Sequence, residues 1–350
     1  MVVSGSCGQS SVVGSVQGLT KEKENSVRQR LREWTWDAED KAGKKRQGLD
    51  VTSCFAMLLV WILSWWDPKE RSLLLAMDAT TLGERYVVLA ISVLYRQCAI
   101  PIAWKIFAAK AQSEWKVEWL ELFSYFEGII PENWSVLVLA DRGLYAKWLF
   151  EAIQKLKWHP FLRINSGGKF CLPDSSQFLP LSTLTHRNCN WAGQAICFKT
   201  NPLHCTLLVC WDDGYKDPWL IVTDLSPDTA NILCYGARAW IECGFRQTKR
   251  AGWQWHQTRM TDPHRASRHW LAIAVATLWL VSVGAQQDDP EFRDLPIPAL
   301  PSDSAHPPRR KSRPASLSFF RRGLLAIRVA FICNDPLPLG SFLPRYVLFF

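Results

Sequence analysis

The sequence is short of several things that would place it quickly. It has no CxxC pair: the cysteines at 189, 197, 205 and 210 are too evenly spread for a zinc knuckle. The total of eleven is odd, so reduced thiols in a cytoplasm are expected in place of a disulfide framework. The opening MVVSGSCGQS has neither a basic segment nor an apolar one, so no secretory signal is expected. Nor is there a long apolar run. The two longest, Cys54–Trp66 and Trp270–Val283, have 13 and 14 residues, against the roughly 20 needed to cross a bilayer. Both read as buried core helices, and no membrane partner is expected. No internal repeat is evident, and His159, His204 and His256 lack metal-ligand spacing.

What is present is a large apolar fraction and an excess of positive charge. Of 350 residues 48% are hydrophobic and 21% charged, enough apolar surface for one large domain or two. Lysine and arginine number 41 against 32 acids, a net charge of +9, which favours an anionic partner, nucleic acid first. Tryptophan, at 19, serves cores and base-stacking surfaces alike.

Along the chain, residues 1–20 are Ser/Gly/Val-rich and are expected to be disordered. Residues 21–67 form a helical amino-terminal region with a possible role in DNA binding. Within it residues 21–46 carry nine basic and six acidic side chains, and Val27, Leu31 and Trp34 fall on one helical stripe. The arginine-rich remainder is either a solvated face or a DNA-contacting one. Residues 68–285 read as a catalytic α/β domain. Leu73–Met77, Arg85–Tyr95 and Ala99–Phe107 are strand-like runs. A helix at 113–126, a strand at 135–140, a helix at 144–157 and a strand at 159–164 follow, giving β-β-β-α-β-α-β in a mixed sheet. Residues 165–225 are a β-rich insertion. Ser226-Pro227-Asp228 carries a helix-start signal, predicting one helix over 227–249, then a core helix over 266–283. Residues 286–314 hold seven prolines and the run PPRRKSR, a linker. Residues 315–350 are a tail with a possible helix.

Two aspartates carry the chemistry. In LLLAMDATT and VLVLADRGL a buried strand leads into Asp78 and Asp141. One such residue is ordinarily a turn or cap. Two at the ends of adjacent strands repel each other, and a divalent cation is the usual reason to hold them together. Ligands of α/β sheets gather at those ends. On the helix expected after the insertion, Tyr235, Arg238, Glu242 and Lys249 fall within a sector of about 60° at 100° per residue, joined by Arg246. Leu233, Ala237, Trp240 and Gly244 lie opposite, the face to bury. Between Tyr235 and Trp270 there are seven basic residues and two acidic, with Trp253 and Trp255 interleaved. That mixture suits a phosphate backbone and a stacked base.

The spacing Tyr-x2-Arg-x3-Glu-x6-Lys, here Y235-GA-R238-AWI-E242-CGFRQT-K249, resembles the signature of DDE transposases of bacterial cut-and-paste insertion sequences. The resemblance covers about residues 50–285. It implies an RNase H-like mixed sheet flanked by helices, with a β-rich insertion before the last catalytic helix. It implies Asp78, Asp141 and Glu242 as catalytic, metal-holding residues and two Mg2+ or Mn2+ ions as cofactors. It further implies DNA contacts from Tyr235 and Arg238 and a phosphate contact from Lys249. Arg246 is added because it shares their stripe. In relatives an insertion tryptophan caps a flipped base; Trp211 and Trp219 are candidates, though both fit a hairpin core. The resemblance implies double-stranded DNA as partner, both transposon ends and target, with a dimer on the DNA, in a bacterial cytoplasm at the nucleoid. The activity would be cleavage of insertion-sequence ends and joining of the 3′-hydroxyl to target DNA. Two other readings stand beside it: a catalytically inactive DNA-binding remnant, and an RNase H-like nuclease.

Overall fold

A computed structural model describes residues 1–44, 46–111, 114–286 and 317–342. The polypeptide begins with helices α1 (Gln9–Thr20), α2 (Glu24–Thr35) and α3 (Ser53–Ser64). Three strands follow: β1 (Ser72–Leu82), β2 (Tyr86–Tyr95) and β3 (Cys98–Ala108). Helix α4 (Trp115–Ser124), strand β4 (Ser135–Ala140), helix α5 (Lys147–Lys155) and strand β5 (His159–Arg163) complete the expected alternation.

The strands are where the apolar runs predicted them. β2 and β4 bury nearly every residue and β1, β3 and β5 most of theirs, as suits strands covered on both faces. β1 pairs antiparallel with β2, and β2 with β3; β1 pairs parallel with β4, and β4 with β5. The spatial order β3-β2-β1-β4-β5 with those directions is the RNase H-like sheet.

The insertion does not form a separate body. Its strands are β6 (Lys169–Cys171), β7 (Leu179–Pro180), β8 (Cys189–Cys197), β9 (Leu203–Trp211) and β10 (Trp219–Thr223). β10 pairs antiparallel with β5 through Ile221 opposite Arg163 and Val222 opposite Leu162, so one ten-stranded sheet runs from β3 to β7.

Helix α6 (Ala239–Arg246) packs on β1, β2 and β3, and helix α7 (Pro263–Gln286) on β3. Asp262 accepts from the Arg265 amide, and Pro263 takes the first helical position, a proline start that the helix tolerates because that N–H has no partner. α7 is long and apolar enough to cross a membrane, yet 72% of its most apolar window is buried in the protein. The final helix, α8 (Phe319–Cys333), lies along it. Their contact is at backbone distance: a Cβ on Gly323 would sit 1.8 Å from the Leu280 carbonyl oxygen, and one on Gly284 2.0 Å from that of Phe319. Residues 287–316, most of them the proline-rich linker, and 343–350 of the tail lie outside the described residues.

Three expectations change. Residues 1–20 are not disordered. They hold α1, Val2 and Cys7 join the main core, and the Cys7 amide donates to the Trp253 carbonyl. A few valines suffice where a core already offers a surface to cover. Second, Asp78 does not end its strand: β1 continues to Leu82, paired with β2. What ends near Asp78 is the pairing with β4, last registered at Ala76 opposite Leu139. Third, the single helix over 227–249 is three different helices. Residues 227–229 form a turn, with the Ser226 carbonyl accepting from the Thr229 and Ala230 amides. Asn231 then caps a 3₁₀ segment, Ile232–Arg238, which leads into α6 and a π turn, Gln247–Ala251. A Ser-Pro-Asp start serves turns as readily as helices.

All eleven cysteines are free thiols. Burial pushes Cys98 up to about 11 and Cys7 and Cys234 to about 12, which keeps them protonated and unreactive.

Candidate active site

The site forms where β1 and β4 part. These strands are parallel neighbours, with Ala76 opposite Leu139. Asp78 and Asp141 each stand two residues further on, so the two carboxylates sit at the same level of adjacent strands. Each is pinned by its own turn of backbone. The Ala79 amide donates to Asp78 Oδ1 at 2.8 Å, and the Arg142 amide to Asp141 Oδ1 at 2.7 Å.

The 3₁₀ segment delivers the next two residues. In a 3₁₀ helix residues three apart eclipse each other, so Tyr235 and Arg238 project in one direction. That direction is inward. Tyr235 is 1% exposed and Arg238 8%. The solvated polar stripe expected of both therefore does not exist at this end. Leu233, placed on the face to bury, is 49% exposed, while Ala237, Trp240 and Gly244 are buried as expected. The wheel drawn at 100° per residue misplaces the segment because 3₁₀ winding advances by about 120°. The Tyr235 hydroxyl donates to Asp141 Oδ1 and to the Ala140 carbonyl, both at 3.4 Å. Trp219 of β10 packs edge-on against the Tyr235 ring at 5.2 Å and is itself stacked on Tyr215. Trp219 is thus core, as its hairpin position suggested. Trp211 is half-buried, with the Arg187 guanidinium over its ring at 4.6 Å.

Arg238 is the centre of the site. Its Nη2 lies 2.7 Å from Asp78 Oδ2 and 3.8 Å from Asp141 Oδ2, and its Nη1 donates to Glu242 Oε1. Glu242 is one helical turn along α6, the i,i+4 spacing that puts two side chains on one face. One guanidinium thereby touches all three acids. Burial pushes the Asp78 carboxyl above the usual carboxylate range, against the pull of Arg238; the charges of Glu242 and Asp141 add to the rise. Arg238 is held above its ordinary value: burial opposes this, and Asp78, Tyr235, Asp141 and Glu242 together outweigh it.

Lys249 comes close by another route. From the π turn its Nζ donates to Thr80 Oγ1 at 2.6 Å, two residues beyond Asp78 on β1. Burial lowers its pKa, and neighbouring Arg250 adds to the effect. Arg246 is exposed on α6, its guanidinium over Cys243 Sγ at 3.5 Å. Trp253 and Trp255 are buried at 1% and 0% exposure and offer no stacking surface. On α2, Arg28 and Arg30 are paired with Glu24 and Glu22, a solvated face.

Sequence reasoning missed Arg163. It closes β5, the strand beside β4, and its Nη1 stands 3.9 Å from Asp141 Oδ1 while Nη2 donates to the Pro218 carbonyl at 3.1 Å. A basic residue at the carboxyl end of a buried strand was the available signal, the same one used for the aspartates.

Among the described residues no three His, Cys, Asp or Glu side chains stand ready to hold a metal ion together; a guanidinium stands where the three acids meet. The donor set nevertheless fits a hard cation. Three carboxylates from separate elements converge on one positive group, and hard oxygen ligands suit magnesium or manganese.

Comparison with known proteins bears on the same region. No protein of curated function matches the chain in sequence. Among solved structures, the piggyBac transposase synaptic complex with hairpin DNA is similar over 62% of this chain, at 10% identity and a TM-score of 0.39. The matched part is 48% of that chain, about half its length. Human ENDOV is similar over 71% of this chain and 98% of its own, at 11% identity and a TM-score of 0.28. The family model for the transposase DDE domain matches residues 125–279. The match takes in Asp141, Tyr235, Arg238, Glu242 and Lys249 and begins downstream of Asp78, which joins them through the pairing of β1 with β4 and its ion pair with Arg238. Over residues 125–279 the chain is similar to the transposase DDE domain.

Proposed function

We infer that this chain is a DNA transposase that cleaves insertion-sequence ends and joins the freed 3′-hydroxyl to target DNA. The observation that carries the reading is the convergence of Asp78, Asp141 and Glu242, from three separate elements, on one cationic centre. Like charges brought together cost stability unless a cation joins them, so three acids meeting at one point favour a site that handles cations.

Asp78, Asp141 and Glu242 would hold two Mg2+ or Mn2+ ions. Bound there, the ions would activate the attacking water or 3′-hydroxyl and stabilise the leaving 3′-oxygen. The chain's own residues do the rest. Tyr235 orients Asp141 by donating to its Oδ1. Its phenol is protonated well above neutrality, because burial and the charge of Asp141 both disfavour the phenolate, so it acts as a donor and not as a nucleophile. Direct attack by water or a 3′-hydroxyl needs no covalent enzyme intermediate, so no serine or tyrosine nucleophile is required. Arg163 stands beside Asp141, Lys249 beside Thr80 and Arg246 is exposed on α6; these three would position the phosphates of double-stranded DNA.

The test is Mg2+-dependent cleavage of a duplex bearing the element's end, with the Asp78→Ala, Asp141→Ala and Glu242→Ala variants. Each substitution is expected to abolish cutting. If all three cut like the parent protein, the site is elsewhere.

A further inference from the structure

We propose that Arg238 is a built-in counter-ion that holds the three acids assembled before metal arrives and must swing away when metal binds. The inference rests on the reading of Asp78, Asp141 and Glu242 as the metal-holding set.

The geometry separates this role from simple DNA contact. A residue kept for DNA would be expected to point to solvent, but the Arg238 side chain is 10% exposed and spends both terminal nitrogens on carboxylates. A guanidinium is planar and forked, so its two ends can address acids on different elements at once, which an ammonium cannot do. Here Nη2 faces the two strand-borne acids and Nη1 the helix-borne one. The Nε atom is buried with no hydrogen-bond partner. The group is therefore seated for its two ends alone, at the cost of a stranded donor. Glu242, whose side chain is 57% exposed, has no other ion-pair partner among the described residues. Without Arg238 it has no reason to lean inward over α6.

Two consequences follow. Arginine and metal compete for the same oxygens, so apparent metal affinity is reduced by the fraction of molecules in which Arg238 is in place. When metal takes the acids, the displaced guanidinium stays tethered one turn from Glu242, where it can meet a phosphate. Arg238 is thus a positioning residue, acting through the acids.

The experiment is a titration of metal-free full-length protein with Mn2+, reading free Mn2+ by electron paramagnetic resonance, alongside thermal melts in EDTA and in Mn2+. Arg238→Gln is expected to bind Mn2+ about tenfold more tightly than the parent and to melt lower in EDTA, with most of that loss recovered in Mn2+. Arg163→Gln removes a charge equally near Asp141 that joins it to no other acid, and is expected to shift affinity about twofold. If Arg238→Gln leaves affinity unchanged, or moves it no more than Arg163→Gln does, the counter-ion role is overturned. Should Arg238→Gln fail to fold, Arg238→Lys decides: it keeps the charge and loses the bridge. Tighter Mn2+ binding by that variant supports the proposal and unchanged binding overturns it. Asp141→Asn serves as the separate control. If it binds Mn2+ like the parent, the acids are not the metal set, and the functional reading fails before the counter-ion does.

Discussion

Asp78 and Asp141 on the one hand, and Glu242 on the other, reach the same point by opposite means. The aspartates are short side chains, one within β1 and one directly after β4, each clamped by the amide that follows it, with side chains 17% and 34% exposed. The glutamate is long, stands on a helix of eight residues, and is 57% exposed. Two acids are fixed by the sheet and the third is brought in by Arg238. A site built this way has a rigid half, set when the sheet forms, and an adjustable half that follows α6.

The comparison can be broken in order of effect. Changing side-chain length should hurt the rigid half more. Asp141→Glu is expected to lower Mg2+-dependent cleavage by roughly 10³-fold, because the longer acid cannot be accommodated in a preset geometry. Glu242→Asp is expected to cost only about 10-fold, since α6 can yield. Equal losses in the two variants would show that the halves do not differ. The adjustable half also has one tight contact with the sheet. A Cβ on Gly244 would meet the Ala99 Cβ at 2.8 Å, so α6 lies against β3 as closely as glycine allows. Gly244→Val should destabilise the fold by about 1–3 kcal/mol in urea melts and reduce cleavage by displacing Glu242, leaving the aspartates in place.

Smaller effects sharpen the picture. Tyr235→Phe removes a hydroxyl from Asp141 and should cost about 0.5–1.5 kcal/mol, read by the same melts, with the fold intact because Trp219 still packs on the ring. The smallest effect is a pH dependence. Asp78 has a folded pKa above its unfolded one, so the native state binds this proton more tightly than the unfolded chain does. Its contribution to metal-free stability is therefore greatest below the ordinary carboxylate pKa and is lost as pH rises through the raised value. Asp78→Asn lacks that loss, so its stability relative to the parent should climb across this window. A difference that stays flat with pH would show that Asp78 is not shifted.

How much of this could be read from the residues alone divides along the same line. The sheet-borne half was legible. Apolar runs of strand length, each feeding an aspartate, are local signals, and β1, β4 and β5 formed where they were placed. The ends of those runs misled only at Asp78, where pairing with β2 outlasts pairing with β4. The helix-borne half was legible as a motif and not as geometry. Tyr235, Arg238 and Glu242 were found, but nothing in their spacing distinguishes 3₁₀ from α winding. The exposed stripe was drawn on a cylinder that the chain does not form until Ala239. Arg163 escaped because its relevance comes from a neighbour, Asp141, that lies on another strand. The order of residues 1–20 escaped because α1 packs on α2 and Cys7, just before it, is anchored by Trp253, more than 200 residues away, whose carbonyl receives the Cys7 amide.

The uninterrupted ladder from β3 to β7 has a mechanical meaning. An insertion joined by flexible linkers could grip a ligand at any angle. This one is hydrogen-bonded to β5, which abuts the strand carrying Asp141, so the two parts share a single plank. Any ligand that met the insertion would thereby be held at a set distance and tilt from the acids, as a workpiece is by a fence bolted to the saw table.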